Sequence, residues 1–135
     1  MQIPPNVQFH DDINLLVWKP RGIMNEAMVN KILSYLAKKE TMSHKPFDRF
    51  IDTSAQEGID LSFKYVFHVA LYRRLTYAGR PPVKSAFLVT KPEVAHLVRI
   101  HATMTDQSPL QVEMFEQRQA AADWLGVPID RLDME

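Results

Sequence analysis

Within seven residues, Asp52-Thr53-Ser54-Ala55-Gln56-Glu57-Gly58 brings together two carboxylates, two hydroxyls and a carboxamide. The segment follows the apolar pair Phe50-Ile51 and precedes a helical pattern. It therefore leaves the C-terminal end of a strand, which is where open α/β sheets gather their ligands. Asp52, Thr53, Ser54 and Gly58 are its candidate functional positions. A structural use of the same residues stands beside this one. Ser54 and Glu57 have capping-box spacing, and Asp60 can cap the next helix.

That helix, read over Leu61–Ala78, carries the second candidate. Phe63, Val66, Phe67 and Ala70 form a stripe expected to face a sheet. Roughly opposite lie Tyr65, His68, Tyr72 and Thr76. Tyrosine offers apolar area and one hydrogen bond together, so this face suits a partner, a second copy of the chain included, or one wall of a ligand groove. The same rings can also lie over neighbouring surface. Arg73, Arg74 and Arg80, with Lys84 nearby, make a basic cluster that can attract an anion or phosphate. A solvated helix end accounts for it equally, since cations suit that end of the dipole.

The histidines assemble no metal site by spacing. His96 and His101, five apart on one helix, are turned about 140° from each other, at 3.6 residues per turn. His101 falls on the stripe of Val94, Leu97 and Val98 and reads as a packed side chain, whereas His96 shares a face with Arg99 and Thr103 and reads as solvated. His10-Asp11-Asp12 can bind a cation or simply turn a hairpin, and His44 reads as loop. With 4 glycines the chain has too few for a phosphate cradle, and the dinucleotide, zincin and nucleophile-elbow patterns are absent. With no cysteine, thiol nucleophiles, disulfides and cysteine metal ligands are excluded. The expectation is a non-enzymatic protein without catalytic residues, metal or cofactor.

The elements that must position these residues are legible in the pattern. Ile13–Trp18 reads as a strand stopped by Lys19-Pro20-Arg21-Gly22, with Val7-Gln8-Phe9 pairing to it through a hairpin at Asp11-Asp12. A helix over Asn25–Lys39 is capped by Asn25. Arg49–Asp52 is a second strand, and the Leu61–Ala78 helix closes on Gly79. Ala86-Phe87-Leu88-Val89 within the strand Ser85–Thr90 is apolar on both faces, as in a strand covered by helices on both sides. Thr90 and Glu93 have capping-box spacing at the start of a helix running to about Thr105, and Pro92 suits its first turn. Leu110–Phe115 alternates, as a strand near a sheet edge does. Gln117–Leu125 is a last helix ended by Gly126 and Pro128. The tail beyond 128 reads as polar and loose. Strands alternating with helices imply crossovers, hence a single mixed, mostly parallel sheet of five strands with four helices in one α/β domain over residues 1–135.

Composition agrees with such a domain. A hydrophobic share of 46% suffices for a core. Lys plus Arg and Asp plus Glu are 16 each, a balance that excludes generic nucleic-acid binding, which needs a basic surface to displace counterions. Met1-Gln2-Ile3-Pro4-Pro5 lacks the basic region and apolar core of a signal peptide, and no apolar run approaches the ~18 residues of a membrane span. A cytoplasmic address is expected.

The chain resembles the SpoIIAA-like family of small bacterial proteins, within the STAS fold, from Ile13 to Pro128. The resemblance rests on the Trp18-Lys19-Pro20-Arg21-Gly22 strand exit, the strand end Phe50-Ile51-Asp52-Thr53-Ser54, the strand Ser85-Ala86-Phe87-Leu88-Val89, and the closing Ala122-Asp123-Trp124-Leu125-Gly126-Val127-Pro128. It implies a regulatory or ligand-binding module. In STAS antagonists a hydroxyl in the loop corresponding to 52–58 is phosphorylated, and the added charge breaks a partner interface. Thr53 and Ser54 fall in this place. The antagonists carry Asp-Ser-Ser-Gly directly before the helix, whereas here Ala55 follows Ser54 and Gly58 comes later. The leading expectation is a regulatory or protein-interaction module acting through the 52–58 loop and the 61–78 helix. The alternative is a small apolar-ligand or lipid-binding protein, which requires a cavity beneath the first helix and the 61–78 helix.

Overall fold

The computed structural model describes residues 3–43 and 45–134, so His44 lies outside the described residues. Seven strands and four helices follow in the order β1 (Val7–His10), β2 (Leu15–Trp18), β3 (Gly22–Asn25), α1 (Glu26–Ser43), β4 (Asp48–Asp52), β5 (Gln56–Asp60), α2 (Phe63–Tyr77), β6 (Val83–Leu88), α3 (Pro92–Met104), β7 (Leu110–Phe115) and α4 (Arg118–Leu125). A 3-10 turn, Ile129–Leu132, closes the chain. The main sheet has the order β1-β2-β4-β6-β7. Its four inner pairings are set by chemistry of connection. β1 and β2 are joined by a short hairpin and run antiparallel, and the other three pairings are parallel because each connection is a helical crossover.

Alternation along the strands divides the core between two faces. Leu15, Val17, Phe50, Ala86 and Leu88 pack with Ala121, Ala122 and Leu125 of α4. Leu16, Trp18 and Ile51 point to the other face, where Ile32, Tyr35 and Leu36 of α1 meet them. Val94 and Val98 of α3 pack on that second face beside Phe87, and α2 packs against α3. Three helices thus crowd one face and a single helix covers the other. The β6 strand is covered on both sides, as its apolar run requires.

Several boundaries differ from the sequence expectation, each for a local reason. Asn25 does cap α1, its Oδ1 accepting from the Met28 amide at 2.9 Å, but α1 continues past Lys39 to Ser43 because Glu40 is held by Arg49 at 2.9 Å. The α2 cap is Ser62, whose Oγ accepts from the Tyr65 amide at 3.1 Å, and Asp60 is left in β5. At α3 the capping residue is Lys91, with no side-chain cap, so the Thr90–Glu93 box does not form. Gly79 and Gly126 take the left-handed conformation after α2 and α4 (φ 78° and 73°) as their positions demand. The described part of the tail, residues 129–134, is not loose. Leu132 is 1% exposed in the α4-side core, and Arg131 binds Asp12 at 2.6 Å.

Two strands were not expected. β3 and β5 form a separate two-stranded parallel ribbon, with Met24 opposite Ile59 and Asn25 opposite Asp60. Neither carries an apolar alternation of its own. They are strands because the chain leaving β2 and the chain leaving β4 run side by side.

Candidate functional site

The sheet face shared by α1, α2 and α3 is not closed. A cavity of about 160 Å³ lies there, floored by Leu16, Ile51 and Phe87. Ile32, Leu33 and Leu36 of α1, Val66 and Val69 of α2, and Val94, Leu97 and Val98 of α3 form its walls. Met24, Gln56 and Ile59 of the small ribbon close one end. The origin of the space is geometric. Three helices share a sheet face of five strands, and α2 leans on α3, reaching the sheet near its C-terminal end, where Tyr77 packs on Val83 and Leu110.

Three basic groups stand in this apolar lining. Arg49, on β4, is 1% exposed: Nη2 donates to Glu40 Oε1 and Nη1 to the Tyr77 hydroxyl, both at 2.9 Å, while its Nε has no partner. Arg73, on α2, is 7% exposed, and its Nε has no hydrogen-bond partner. Among the described residues no carboxylate lies within ion-pair distance of it. Burial pulls its pKa down to about 10, with repulsion from Arg49 adding to the effect and the attraction of Tyr77 and Glu40 opposing it. His101, on α3, stacks edge-on against Phe87 at 6.2 Å between ring centres. Its Nδ1 is sealed from solvent without a partner. Burial, reinforced by Arg73, lowers the His101 pKa to about 3, so the ring is neutral at physiological pH. His101 is packed, as its stripe suggested, yet it is not satisfied.

The 52–58 segment is more structural than its composition suggested. Asp52 is buried, with Oδ1 accepting from the Ser54 amide at 2.9 Å and Oδ2 from Arg118 Nη2 at 2.6 Å. Thr53 is 3% exposed and its hydroxyl donates to the Leu88 carbonyl at 2.6 Å. Ser54 is exposed. Gly58 is not in the loop at all but in β5, and with Gln56–Asp60 extended the Ser54–Glu57 capping box has no helix to cap. The loop proper is Thr53–Ala55, and Lys91 ties its far side down by donating to the Gln56 carbonyl.

Along α2 the faces are rearranged. Val66, Ala70, Arg73 and Tyr77 point inward. Phe63 and Phe67, expected against the sheet, are exposed, and with Leu71 and Leu75 they form an apolar row at four-residue spacing. Of the tyrosine face, Tyr72 and His68 are exposed, Thr76 is half-buried and donates to the Arg73 carbonyl at 3.1 Å, and Tyr65 turns toward α1, where its hydroxyl donates to Asn30 Oδ1 at 2.6 Å. The structure therefore does not gather Tyr65, His68, Tyr72 and Thr76 into one patch. It also disperses the basic cluster: Arg73 goes inside, Arg74 donates to the carbonyls of Met104 and Asp106, Arg80 meets Glu40 at 3.3 Å, and Lys84 reaches the Trp124 carbonyl. His10 lies beside Arg131 Nη2 at 3.3 Å, and His96 is exposed. No three described His, Asp or Glu side chains are grouped to hold a metal.

A mostly parallel five-stranded sheet with one antiparallel edge and helices on both faces is the architecture of an α/β protein of SpoIIAA-like fold. The chain superposes on the crystal structure of an uncharacterized protein of the DUF3478 family with a SpoIIAA-like fold from Shewanella loihica PV-4, with a TM-score of 0.57 over 88% of this chain and 90% of that one, at 18% identity. The likeness bears on the fold. No protein-family model and no curated protein matches the chain. Among the described residues no helix is long and apolar enough to cross a membrane.

Proposed function

We propose that the protein binds a small apolar or amphipathic molecule in the cavity between the sheet and α1, α2 and α3, without catalysing a reaction on it. The cavity itself carries this reading. Protein interiors are packed like crystals, and a void forfeits the contacts its lining would have made, so a space of this size beneath three helices is costly to leave unused. A dry apolar cavity of about 150 Å³ is enough to hold benzene. The described lining contains no carboxylate, and Asp52 is committed to Arg118 and the Ser54 amide. Native mass spectrometry of protein purified gently from cells tests the proposal. The expected result is a mass above that of the bare chain, lost on denaturation. A bare-chain mass that also fails to shift when a small apolar alcohol is added would end it.

A second reading, a regulatory or protein-interaction module working through the 52–58 loop and α2, is favoured by the exposed row Phe63, Phe67, Leu71 and Leu75 with Tyr72 beside it. Apolar side chains in a row, rather than scattered, are what contact surfaces present.

A further inference from the structure

We infer that the guest of this cavity is a carboxylic acid with a compact apolar body, its carboxylate received by Arg73 of α2 with His101 of α3 as second donor. This rests on the cavity being a binding site and adds the chemistry of the guest.

The two buried arginines make the case by contrast. Arg49 has its counter-charge inside the protein. Glu40 and Tyr77 satisfy its fork, and Glu40 spends its other oxygen on Arg80. Arg73 lines the same cavity, is also buried, at 7% exposure against 1% for Arg49, and has no carboxylate at ion-pair distance among the described residues. The Tyr77 ring, 5.4 Å from the Arg73 guanidinium, and the more distant Glu40 offset only part of the cost of burying this cation, since burial outweighs them. Such a group persists where its partner arrives from outside. The unpartnered Nδ1 of His101, sealed in the same lining, is the second donor or acceptor left open. Convergent polar groups in an otherwise apolar lining describe the guest: a polar head of opposite charge on an apolar body.

Charge and shape choose among acids. The planar guanidinium fork matches a carboxylate bidentately. The ring of His101 is neutral, so the site offers one free positive charge. A carboxylate cancels it, whereas a phosphate dianion would leave a second charge stranded among apolar side chains. Size sets the body. At about 160 Å³, against about 150 Å³ for a benzene-holding cavity, the space suits a ring or chain of roughly six to eight carbons.

Calorimetric titration of the whole chain with octanoate, 1-octanol and octyl phosphate tests the assignment, on wild type and on Arg73→Met. Wild type is expected to bind octanoate at least tenfold more tightly than either of the others. Arg73→Met should lose that preference while still taking up 1-octanol. If wild type prefers octyl phosphate, or binds 1-octanol as well as octanoate, or if Arg73→Met keeps its octanoate affinity, the head-group assignment is overturned and the cavity reading stands. Binding of none of the three overturns both. Should Arg73→Met not fold, carbon-13 spectra of carboxyl-labelled octanoate on wild type decide. A bound carboxyl that titrates at least a unit below its value in water supports the contact with Arg73, and one that titrates at or above that value overturns it.

Discussion

Arg73 occupies a place that the pattern of α2 reserves for apolar side chains. Val66, Ala70, Arg73 and Tyr77 repeat at the four-three-four spacing of a buried stripe, and a cation at the third position is the signal the sequence held. In sequence Arg73 also falls beside Arg74 and Arg80, so the signal is shared with that of a solvated basic helix end. His101 is the matching case on α3. Its folded pKa of about 3 lies below the ordinary 6.5, so the unfolded chain takes up a proton that the folded chain refuses. The stabilisation from keeping this ring neutral is complete above pH 6.5 and is lost as pH falls from there toward 3. In denaturant titrations, the stability of wild type relative to His101→Phe should drop by up to about 1.4 kcal/mol per pH unit across that window. Arg73 is the charged group acting on this ring, and the subtraction cancels the carboxylates that titrate in both proteins. A difference that stays flat between pH 6.5 and 3 would show that His101 is protonated in the fold.

At the scale of elements, α2 departs most from its expected role. A helix whose apolar residues lie nearly all round has no unambiguous inner face in sequence, and the stripe Phe63, Val66, Phe67 and Ala70 is only one of those it offers. The three-dimensional choice went to the Val66–Ala70–Tyr77 line, which packs mainly toward α3 and meets the strands at Tyr77. The apolar row left outside is only partly covered, from 38% exposure at Leu71 to 67% at Leu75. Replacing Leu71 and Leu75 with Gln should change stability by no more than about 0.5 kcal/mol, measured by chemical denaturation. If the interaction reading is correct, the same variant should lose a self-association or partner complex that wild type shows in sedimentation, and a complex of unchanged strength in the variant would remove α2 from that role. The β3–β5 ribbon is the other surprise of this scale. Its strands carry too few apolar residues for periodicity to mark them, and they exist through each other's hydrogen bonds.

Across the whole molecule, the chain's end closes its core. The 3-10 turn sets Leu132 among Leu15, Phe50, Ala121 and Leu125, while Arg118 links Asp52 to Asp133 at 2.6 and 2.7 Å. The strand end carrying the 52–58 loop is thereby fastened to the last residues of the chain. Leu132→Ala should cost about 2–5 kcal/mol, the range for a buried leucine that leaves a cavity, read as a lowered denaturation midpoint. A loss below about 0.5 kcal/mol would mean that the tail is only resting on the surface.

Alternating short apolar runs and amphipathic stretches, punctuated by Gly79, Gly126 and the prolines, determined in the sequence alone that this is an α/β protein with a mostly parallel five-stranded sheet and four helices. They did so because backbone periodicity and turn chemistry are local. What only the tertiary structure decided is which groups end up without a partner. Asp52 and Thr53, chemically promising in sequence, are consumed by Arg118 and the Leu88 carbonyl. Arg73, one of a basic cluster in sequence, and His101, a packed side chain in sequence, have Nε and Nδ1 left open in the lining of a cavity. Partnering depends on contacts between residues far apart in the chain, and a cavity is the absence of such contacts, which no local pattern records.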